Sequence, residues 1–164
     1  MDVTRSTWWH KASHNAPATT VTYTFSPVVS WPTFQAFWAI CAKEDLEMRQ
    51  LDVTTAFLNA PLEEVIYMKL PPGFAAASNA VLRLWKALYE LKQANKQWHK
   101  LLCRYLVAHS WTPSDANPSL WILQNETKVL AAFYVDDCQL AAKTADAADA
   151  IVASIMALWP RTYG

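Results

Sequence analysis

Residues 129–142 have the sequence VLAAFYVDDCQLAA, in which two adjacent carboxylates, Asp136 and Asp137, lie between two apolar runs. Short apolar runs of this kind are typical of buried β-strands. Two of them in succession predict a hairpin with both aspartates at its tip, although the turn lacks the Gly or Asn that tight turns favour. The chain has eight aspartates, so such a pair also arises readily by chance, and the alternative is an exposed acidic turn.

A third carboxylate, Asp52, also follows an apolar segment, in the sequence QLDVTTAF at 50–57. If its strand lies next to the hairpin, Asp52 and one of the paired aspartates converge at one edge of a sheet. Converging carboxylates need positive charge, and Mg²⁺ is a hard cation that prefers oxygen ligands. Two such ions, about 3.5–4 Å apart, can clamp the attacking and leaving oxygens of a phosphoryl transfer. The residues alone therefore give a candidate metal site.

The composition supports a globular domain and excludes several other classes. The chain has 164 residues, 53% of them hydrophobic, and acidic and basic residues balance at 14 each, so any basic surface must be local. The three cysteines form no CxxC pair and indicate neither a disulfide framework nor a zinc site. No apolar run is long enough for a transmembrane helix, and the N-terminus lacks a signal core. We therefore expect an intracellular protein with no membrane partner, in the cytoplasm or the nucleus.

Hydrophobic periodicity predicts an α+β domain in which a sheet carries helices on one face. Residues 1–20 show no period, and we expect them to be irregular. The predicted elements are a helix over 33–45, a strand over 46–53, a helical turn over 56–59, strands over 63–70 and 82–85, a helix from near Asn95 to near Trp111, a hairpin of 119–124 with 129–135, and a helix that Thr144 caps and Pro160 ends.

Five motifs of the chain occur in the order found in copia-type LTR retrotransposon reverse transcriptases, a family that the chain resembles from about Tyr23 to its C-terminus. The resemblance implies a polymerase palm with partial fingers over 21–164, preceded by a remnant of the fingers at 1–20, with the thumb absent. The motifs are TFSPVVSW at 24–31, LDVTTAFLNAPLEEVIYMKLPPGF at 51–74, RLWKALYELKQANKQW at 83–98, ANPSLW at 116–121 and YVDD at 134–137.

The resemblance implies that Asp52, Asp136 and Asp137 are the catalytic aspartates and hold two Mg²⁺ ions, or Mn²⁺ in their place. The implied reaction is RNA-directed DNA synthesis, in which the 3′-hydroxyl of a primer attacks the α-phosphate of a dNTP. The implied partners are the RNA or DNA template–primer, the dNTPs and the rest of a Pol polyprotein, including its RNase H and integrase.

Three further positions match residues that contact the incoming nucleotide in this family. Phe57 matches the aromatic residue beneath the sugar, which excludes a 2′-hydroxyl, and the alternative is an ordinary core aromatic. Gln93 resembles a glutamine near the sugar and base, and the alternative is an exposed residue at the start of a helix. Lys11 matches a basic residue of the fingers that meets the triphosphate.

Four basic residues recur every fourth position at 92–104, a range that overlaps the helix predicted from near Asn95. This spacing places them along one ridge of the helix. They are candidates for contact with the phosphates of a template–primer, and the alternative is a solvated helix face. The residues are Lys92, Lys96, Lys100 and Arg104.

The chain also departs from the family at several positions. Ser13 stands where an arginine is expected, and Ala60 and Glu90 stand where glycines are usual. If those backbone positions need a positive φ, each substitution costs about 1 kcal/mol or more. Two alternatives to an active polymerase follow: a decayed, inactive relic that binds nucleic acid weakly, and a metal-dependent nuclease that uses the same carboxylates.

Overall fold

The computed structural model of the protein describes residues 26–70, 80–124 and 128–159. Over these residues the chain is α+β, as the periodicity predicts. The helices are α1 Trp31–Lys43, α2 Ala56–Asn59, α3 Ala94–Ala108 and α4 Ala145–Leu158. The strands are β1 Glu47–Asp52, β2 Pro61–Lys69, β3 Val81–Lys86, β4 Trp111–Ser114, β5 Asn117–Leu123, β6 Val129–Tyr134 and β7 Asp137–Ala142.

The chain divides into two compact units. The smaller unit includes the described residues 57–70 and 80–98, and its strands β2 and β3 pair antiparallel. The larger unit includes 26–56, 99–124 and 128–159. It contains a five-stranded antiparallel sheet in the order β1-β7-β6-β5-β4, so β1 and β4 are its edges.

Helices pack against both faces of the five-stranded sheet. On one face, Phe37 and Cys41 of α1 join Leu130, Ala132 and Ala141 in one buried cluster. Strand residues of alternate parity point to opposite faces, and α4 packs against β1 and β7. The expectation of helices on one face is therefore wrong.

The burial pattern of β6 explains why helices cover both faces of the sheet. All residues from Val129 to Phe133 are buried, whereas a strand with one solvated face alternates between buried and exposed residues. Arg49 of β1 shows which helix covers the second face. It lies opposite Leu140, on the face that does not carry α1, and its guanidinium contacts the Asp149 carboxylate of α4 at 2.6 Å.

Two helix starts follow directly from the local sequence. The hydroxyl of Ser30 accepts a hydrogen bond from the backbone N–H of Thr33, with Pro32 in the first turn of α1. The hydroxyl of Thr144 accepts one from Ala147 N–H at the start of α4. Such caps satisfy amides that the first helical turn leaves unpaired. The predicted cap at Thr144 is confirmed.

Strand β4 is an element that the periodicity does not predict. Helix α3 ends at Ala108, and Ser110 takes a positive φ of 65° that turns the chain away from the helix. Trp111 then begins β4 and pairs with Leu123 of β5. Pro113 is read as a helix terminator, but it is tolerated in β4 because an edge strand does not need every backbone donor.

Some expectations fall on residues outside the described ranges. They concern the N-terminal segment at 1–20, which is expected to be irregular, and the residues Lys11 and Ser13 within it. Within the described ranges, none of the helices combines the length and apolarity that a bilayer span requires.

The two positions where glycine is usual in the family differ in backbone conformation. Glu90 has a φ of 71°, and its turn is closed by a hydrogen bond from Leu91 N–H to Leu88 O at 3.2 Å. Ala60 is not among the residues with positive φ. It is fully buried, and its carbonyl accepts a hydrogen bond from Ala87 N–H at 2.9 Å. The expected strain is present at Glu90 and absent at Ala60.

We therefore expect Glu90→Gly to raise the free energy of unfolding by about 0.5–1 kcal/mol, because glycine removes the side-chain clash of the left-handed region. Ala60→Gly is the matched control and should lower it by about 1 kcal/mol or more, because it adds unfolded-state entropy and deletes a fully buried methyl group. Urea unfolding with an unchanged m-value measures both effects. Equal shifts in the two variants would show that Glu90 carries no backbone strain.

Candidate catalytic carboxylate site

The pairing of β1 with β7 brings Asp52 next to the aspartate pair. Asp52 lies directly opposite Asp137 in the antiparallel register, and Leu51 lies opposite Cys138. Residues directly opposite in such a pair project from the same face, with Cβ atoms about 4.5–5.5 Å apart. Two carboxylates that are 85 positions apart in the sequence, at 52 and 137, are therefore neighbours at one end of the sheet.

Asp136 occupies the turn of the β6–β7 hairpin. Tyr134 pairs with Asp137, so the turn consists of Val135 and Asp136, and Asp137 is already the first residue of β7. The expectation that both aspartates lie at the tip therefore holds for Asp136 alone. The backbone carbonyl of Asp136 accepts a hydrogen bond from Val53 N–H at 2.9 Å, which fixes the turn to the end of β1.

The first residue of this turn has an unfavourable backbone conformation. Val135 has a φ of 59°, a value that is a genuine outlier for a β-branched side chain. Conformations of this kind cost about 1–3 kcal/mol and persist only where the surrounding structure enforces them. Here the ladder of β6 with β7 and the hydrogen bond to Val53 enforce it.

The three carboxylates act on one another electrostatically. Burial raises the pKa of Asp52 above its ordinary value of 3.8, and the negative charges of Asp136 and then Asp137 raise that pKa further. The register places Asp137 opposite Asp52, yet the charge of Asp136 has the larger effect on the pKa. The charges of both paired aspartates therefore act on Asp52.

The carboxylate oxygens of this site suit Mg²⁺ or Mn²⁺ when a substrate supplies the remaining ligands of the ion. Among the described residues, no group of three or more His, Cys, Asp or Glu side chains is arranged to hold a metal ion by itself. Mg²⁺ rarely uses such all-protein cages and is usually bound by one or two carboxylates together with the phosphates of a substrate. Asp52 and Asp137 are exposed and Asp136 is half-buried, so all three are accessible to such a ligand.

Buried residues immediately behind the carboxylates hold their strands in place. Leu51 and Cys138, which lie opposite each other, are 5% and 1% exposed. Burial, and then the charge of Asp137, raises the pKa of the Cys138 thiol, which keeps it protonated and makes it a packing group.

A positioning contact that the sequence interpretation missed lies two residues along β7. The indole N–H of Trp38 donates a hydrogen bond to Gln139 Oε1 at 2.6 Å and so ties α1 to β7. A polar Gln139 within the otherwise apolar segment CQLAA is the signal that could have indicated such a partner.

The two described residues that were predicted to contact the nucleotide lie in the smaller unit. Phe57 is 6% exposed, and its ring meets that of Tyr89 edge-on, with centroids 4.6 Å apart. This burial agrees with the alternative of a core aromatic. Gln93 donates a hydrogen bond to Glu64 Oε2 at 3.1 Å. The nucleotide contacts of both residues stay predictions.

The predicted basic ridge starts two residues before the helix. Helix α3 begins at Ala94, so Lys92 precedes it, and the other three residues lie within it at intervals of four. Lys96 is half-buried, while Lys92, Lys100 and Arg104 are exposed. Their role in binding nucleic acid stays a prediction.

Comparison with known proteins gives a consistent result. Residues 11–157 match the family described as reverse transcriptase (RNA-dependent DNA polymerase). Over 123 residues the chain is 36% identical to the retrovirus-related Pol polyprotein from transposon TNT 1-94 of Nicotiana tabacum, covering 73% of this chain and 9% of that protein. Over 130 residues it is 36% identical to the retrovirus-related Pol polyprotein from transposon RE1 of Arabidopsis thaliana. This match covers 77% of this chain and 9% of that protein.

The chain is also similar to a yeast protein. The chain is 35% identical over 95 residues to the putative transposon Ty5-1 protein of Saccharomyces cerevisiae, covering 56% of this chain and 31% of that protein. The chain thus spans 9% of the length of the two plant relatives. No solved structure gives a significant match.

We expect Asp52→Asn to stabilise the metal-free protein at neutral pH by a few tenths of a kcal/mol, the scale of directly opposed side chains in a sheet. The raised pKa of Asp52 means that the folded state disfavours its ionised form. The contribution of Asp52 to the stability of the wild type therefore falls as the pH rises from about 3.8 through the raised value. The gain from the substitution should be largest at neutral pH and shrink near the lower limit of that window.

Thermal unfolding in the presence of a chelator at several pH values measures this difference. Asp115→Asn is the matched control, because Asp115 is an exposed aspartate of the larger unit. A gain for Asp52→Asn that does not vary with pH would contradict the electrostatic origin of the effect.

Proposed function

The chain belongs to the reverse transcriptase (RNA-dependent DNA polymerase) family, and on this premise we propose that it forms the catalytic part of an RNA-directed DNA polymerase. The membership predicted from the five motifs is confirmed by the family match and by the plant Pol polyproteins. The observation that supports the activity most directly is the register of β1 with β7, which opposes Asp52 to Asp137 beside the turn that holds Asp136.

The proposed reaction joins a deoxynucleotide to a primer. The primer 3′-oxygen forms a new bond to the α-phosphorus of a dNTP, the bond from that phosphorus to the bridging oxygen of the β-phosphate breaks, and pyrophosphate leaves. Phosphoryl transfer of this kind depends on positioning and on charge stabilisation far more than on covalent participation by the protein. A fixed group of carboxylates at the end of a rigid sheet suits this requirement.

Asp52 and Asp136, with Asp137 adjacent, would hold Mg²⁺ or Mn²⁺ together with the phosphates of the dNTP. When bound, a pair of such ions stabilises the attacking and leaving oxygens of an in-line displacement. The contribution of the chain is to present the carboxylates without reorganisation, because the hydrogen bond from Val53 N–H and the β6–β7 ladder fix the turn in advance.

Three residues are proposed to place the nucleotide. Phe57 would limit access to the 2′ position of the sugar, Gln93 would contact the sugar and base, and Lys11 would contact the triphosphate. Because Phe57 is 6% exposed and packs against Tyr89, little of its side chain is open to a substrate in this conformation. Lys92, Lys96, Lys100 and Arg104 would contact the phosphates of the template–primer.

We further propose that the larger unit is a polymerase palm and that the domain acts within a larger Pol polyprotein. The antiparallel sheet with carboxylates at the end of its central hairpin supports the palm assignment. The 9% coverage of the plant relatives supports the polyprotein context. RNase H and integrase functions would then belong to other parts of such a polyprotein.

One observation favours a second candidate, a catalytically inactive relic. Glu90 occupies a left-handed backbone position that suits glycine, and the chain contains only two glycines, where average usage near 7% predicts about eleven. A relic would retain the fold and lose coupled binding of metal and nucleotide. Calorimetric titration with Mg²⁺ and dTTP separates the two, because an intact site binds the nucleotide more tightly when the ion is present.

Primer extension on poly(rA)/oligo(dT) tests the proposed function. We expect Asp136→Asn to reduce the rate of extension by about 100-fold or more, the usual effect of removing one preorganised electrostatic group. Asp52→Asn should have a similar effect, because its carboxylate is proposed to hold the same ions.

Asp115→Asn is the control and should extend the primer at the wild-type rate, because Asp115 lies in an exposed turn between β4 and β5. Equal extension by wild type and Asp136→Asn would reject the proposed site. Digestion of labelled single strands in the absence of dNTPs would instead identify a nuclease.

A further inference from the structure

One face of the β2–β3 hairpin in the smaller unit presents apolar and basic side chains together. Tyr67 lies opposite Arg83, and Lys69 lies opposite Val81. Val65 and Trp85 continue the same alternation, because residues two apart in a strand project from the same face. We call these six residues the basic–aromatic face: Val65, Tyr67 and Lys69 of β2, and Val81, Arg83 and Trp85 of β3.

The apolar members of this face are strongly exposed. Trp85 is 69% exposed, Val65 59%, Val81 55% and Tyr67 53%. Contiguous exposed apolar surface of this kind marks a binding site more often than an accident of folding. On the opposite face of the hairpin, Ile66, Met68 and Leu84 are half-buried, while Leu82 is 41% exposed.

The charge of the face is purely positive. Its two charged members are Lys69 and Arg83, both exposed, and none of its six residues is acidic. The guanidinium of Arg83 lies 4.0 Å from the centroid of the Trp85 ring, so cation and aromatic ring form one surface.

The acidic residues of β2 are engaged elsewhere. Glu64 accepts a hydrogen bond from Gln93 and Glu63 accepts one from Gln97. In a chain whose charges balance overall at 14 each, the six residues of this face thus include two cations and no carboxylate.

We propose that the basic–aromatic face binds a single-stranded stretch of nucleic acid, with bases stacked on Trp85 and Tyr67 and phosphates on Arg83 and Lys69. Aromatic platforms flanked by cations are the general means of binding single strands without sequence preference. Trp85 and Tyr67 are diagonal neighbours across the hairpin, about 7–8 Å apart, and thus offer separate platforms to two nucleotides of an extended strand.

The chemistry favours a single strand over a duplex. In a duplex the bases are already stacked and paired, so an exposed indole ring has no base face to contact, whereas an unpaired strand presents its bases freely. A polyanion also matches a face with two cations and no carboxylate better than a protein partner does. The choice of nucleic acid as the occupant rests on the proposed function, whereas the face itself does not involve the carboxylate site.

Titration of the full chain with fluorescently labelled oligo(dT) and oligo(rU), without divalent cations or dNTPs, tests this proposal. We expect Trp85→Ala to weaken binding about tenfold, within the range measured for the loss of one aromatic platform. Trp31→Ala is the matched control, because Trp31 is a comparably exposed tryptophan, at 63%, in the larger unit, and it should bind like wild type. Trp85→Phe should retain most of the affinity.

A second variant tests the proposal even if Trp85→Ala does not fold. Arg83→Gln should reduce the slope of log affinity against log salt concentration by about 1, because it removes one phosphate contact. Circular dichroism confirms that each variant is folded before titration. Absence of oligonucleotide binding by the wild type would overturn the proposal, as would equal losses in the Trp85 and Trp31 variants, or an unchanged salt slope in Arg83→Gln.

The outcome is distinguishable from that of the proposed function. Asp136→Asn should bind oligo(dT) as tightly as wild type while it fails in primer extension. Extension-competent protein that gives no Trp85-dependent binding would reject the basic–aromatic face alone. Trp85-dependent binding by protein that cannot extend a primer would reject the polymerase proposal and leave the face intact.

Discussion

The pairing of an edge strand with the central hairpin is the constraint on which the larger unit depends. Among the described strands β1 pairs only with β7, and this one ladder places Asp52 opposite Asp137. A slip of one residue would turn every side chain of β1 to the other face. It would move Asp52 away from the pair and place the buried Leu51 where the carboxylate now lies. Burial of Leu51 beside Cys138 therefore specifies the register that the proposed chemistry requires.

The same ladder carries an electrostatic cost that packing must offset. Like charges directly opposite each other in a sheet are destabilising, and the raised pKa of Asp52 expresses that repulsion together with its partial burial. The sheet offsets the cost with a continuous core on both faces, seen in the fully buried run of β6. Cross-links at the periphery, such as Trp38 with Gln139 and Arg49 with Asp149, then hold a helix against each face. A cation at the carboxylates would remove the repulsion without any change in this framework.

Sequence periodicity predicted most of the elements because their physical signals are local. Helix α4 has its cap at Thr144 and an apolar stripe that includes Ile155 and Trp159, both buried. The convergence of Asp52 with the pair could be anticipated only conditionally, since strand order is set by contacts distant in the sequence. Strand β4 was missed because Pro113 favours a helix stop and gives no sign that an edge strand follows. Helices on both faces were missed because a short apolar run does not show whether one face or two are covered.

The backbone strain in this chain separates into two kinds with different consequences. Val135 is strained within the carboxylate hairpin, where the β6–β7 ladder and the bond to Val53 enforce its conformation, so the strain is tied to the geometry of the site. Glu90 is strained in the smaller unit, in a turn closed by a single hydrogen bond, where glycine would serve better. Distant sites contribute to stability almost additively, so the cost at Glu90 lowers the stability of the fold without altering the register of β1 with β7. Loss of glycines is therefore a weak argument against catalysis in this chain, whereas any change that shifts β1 against β7 would be a decisive one.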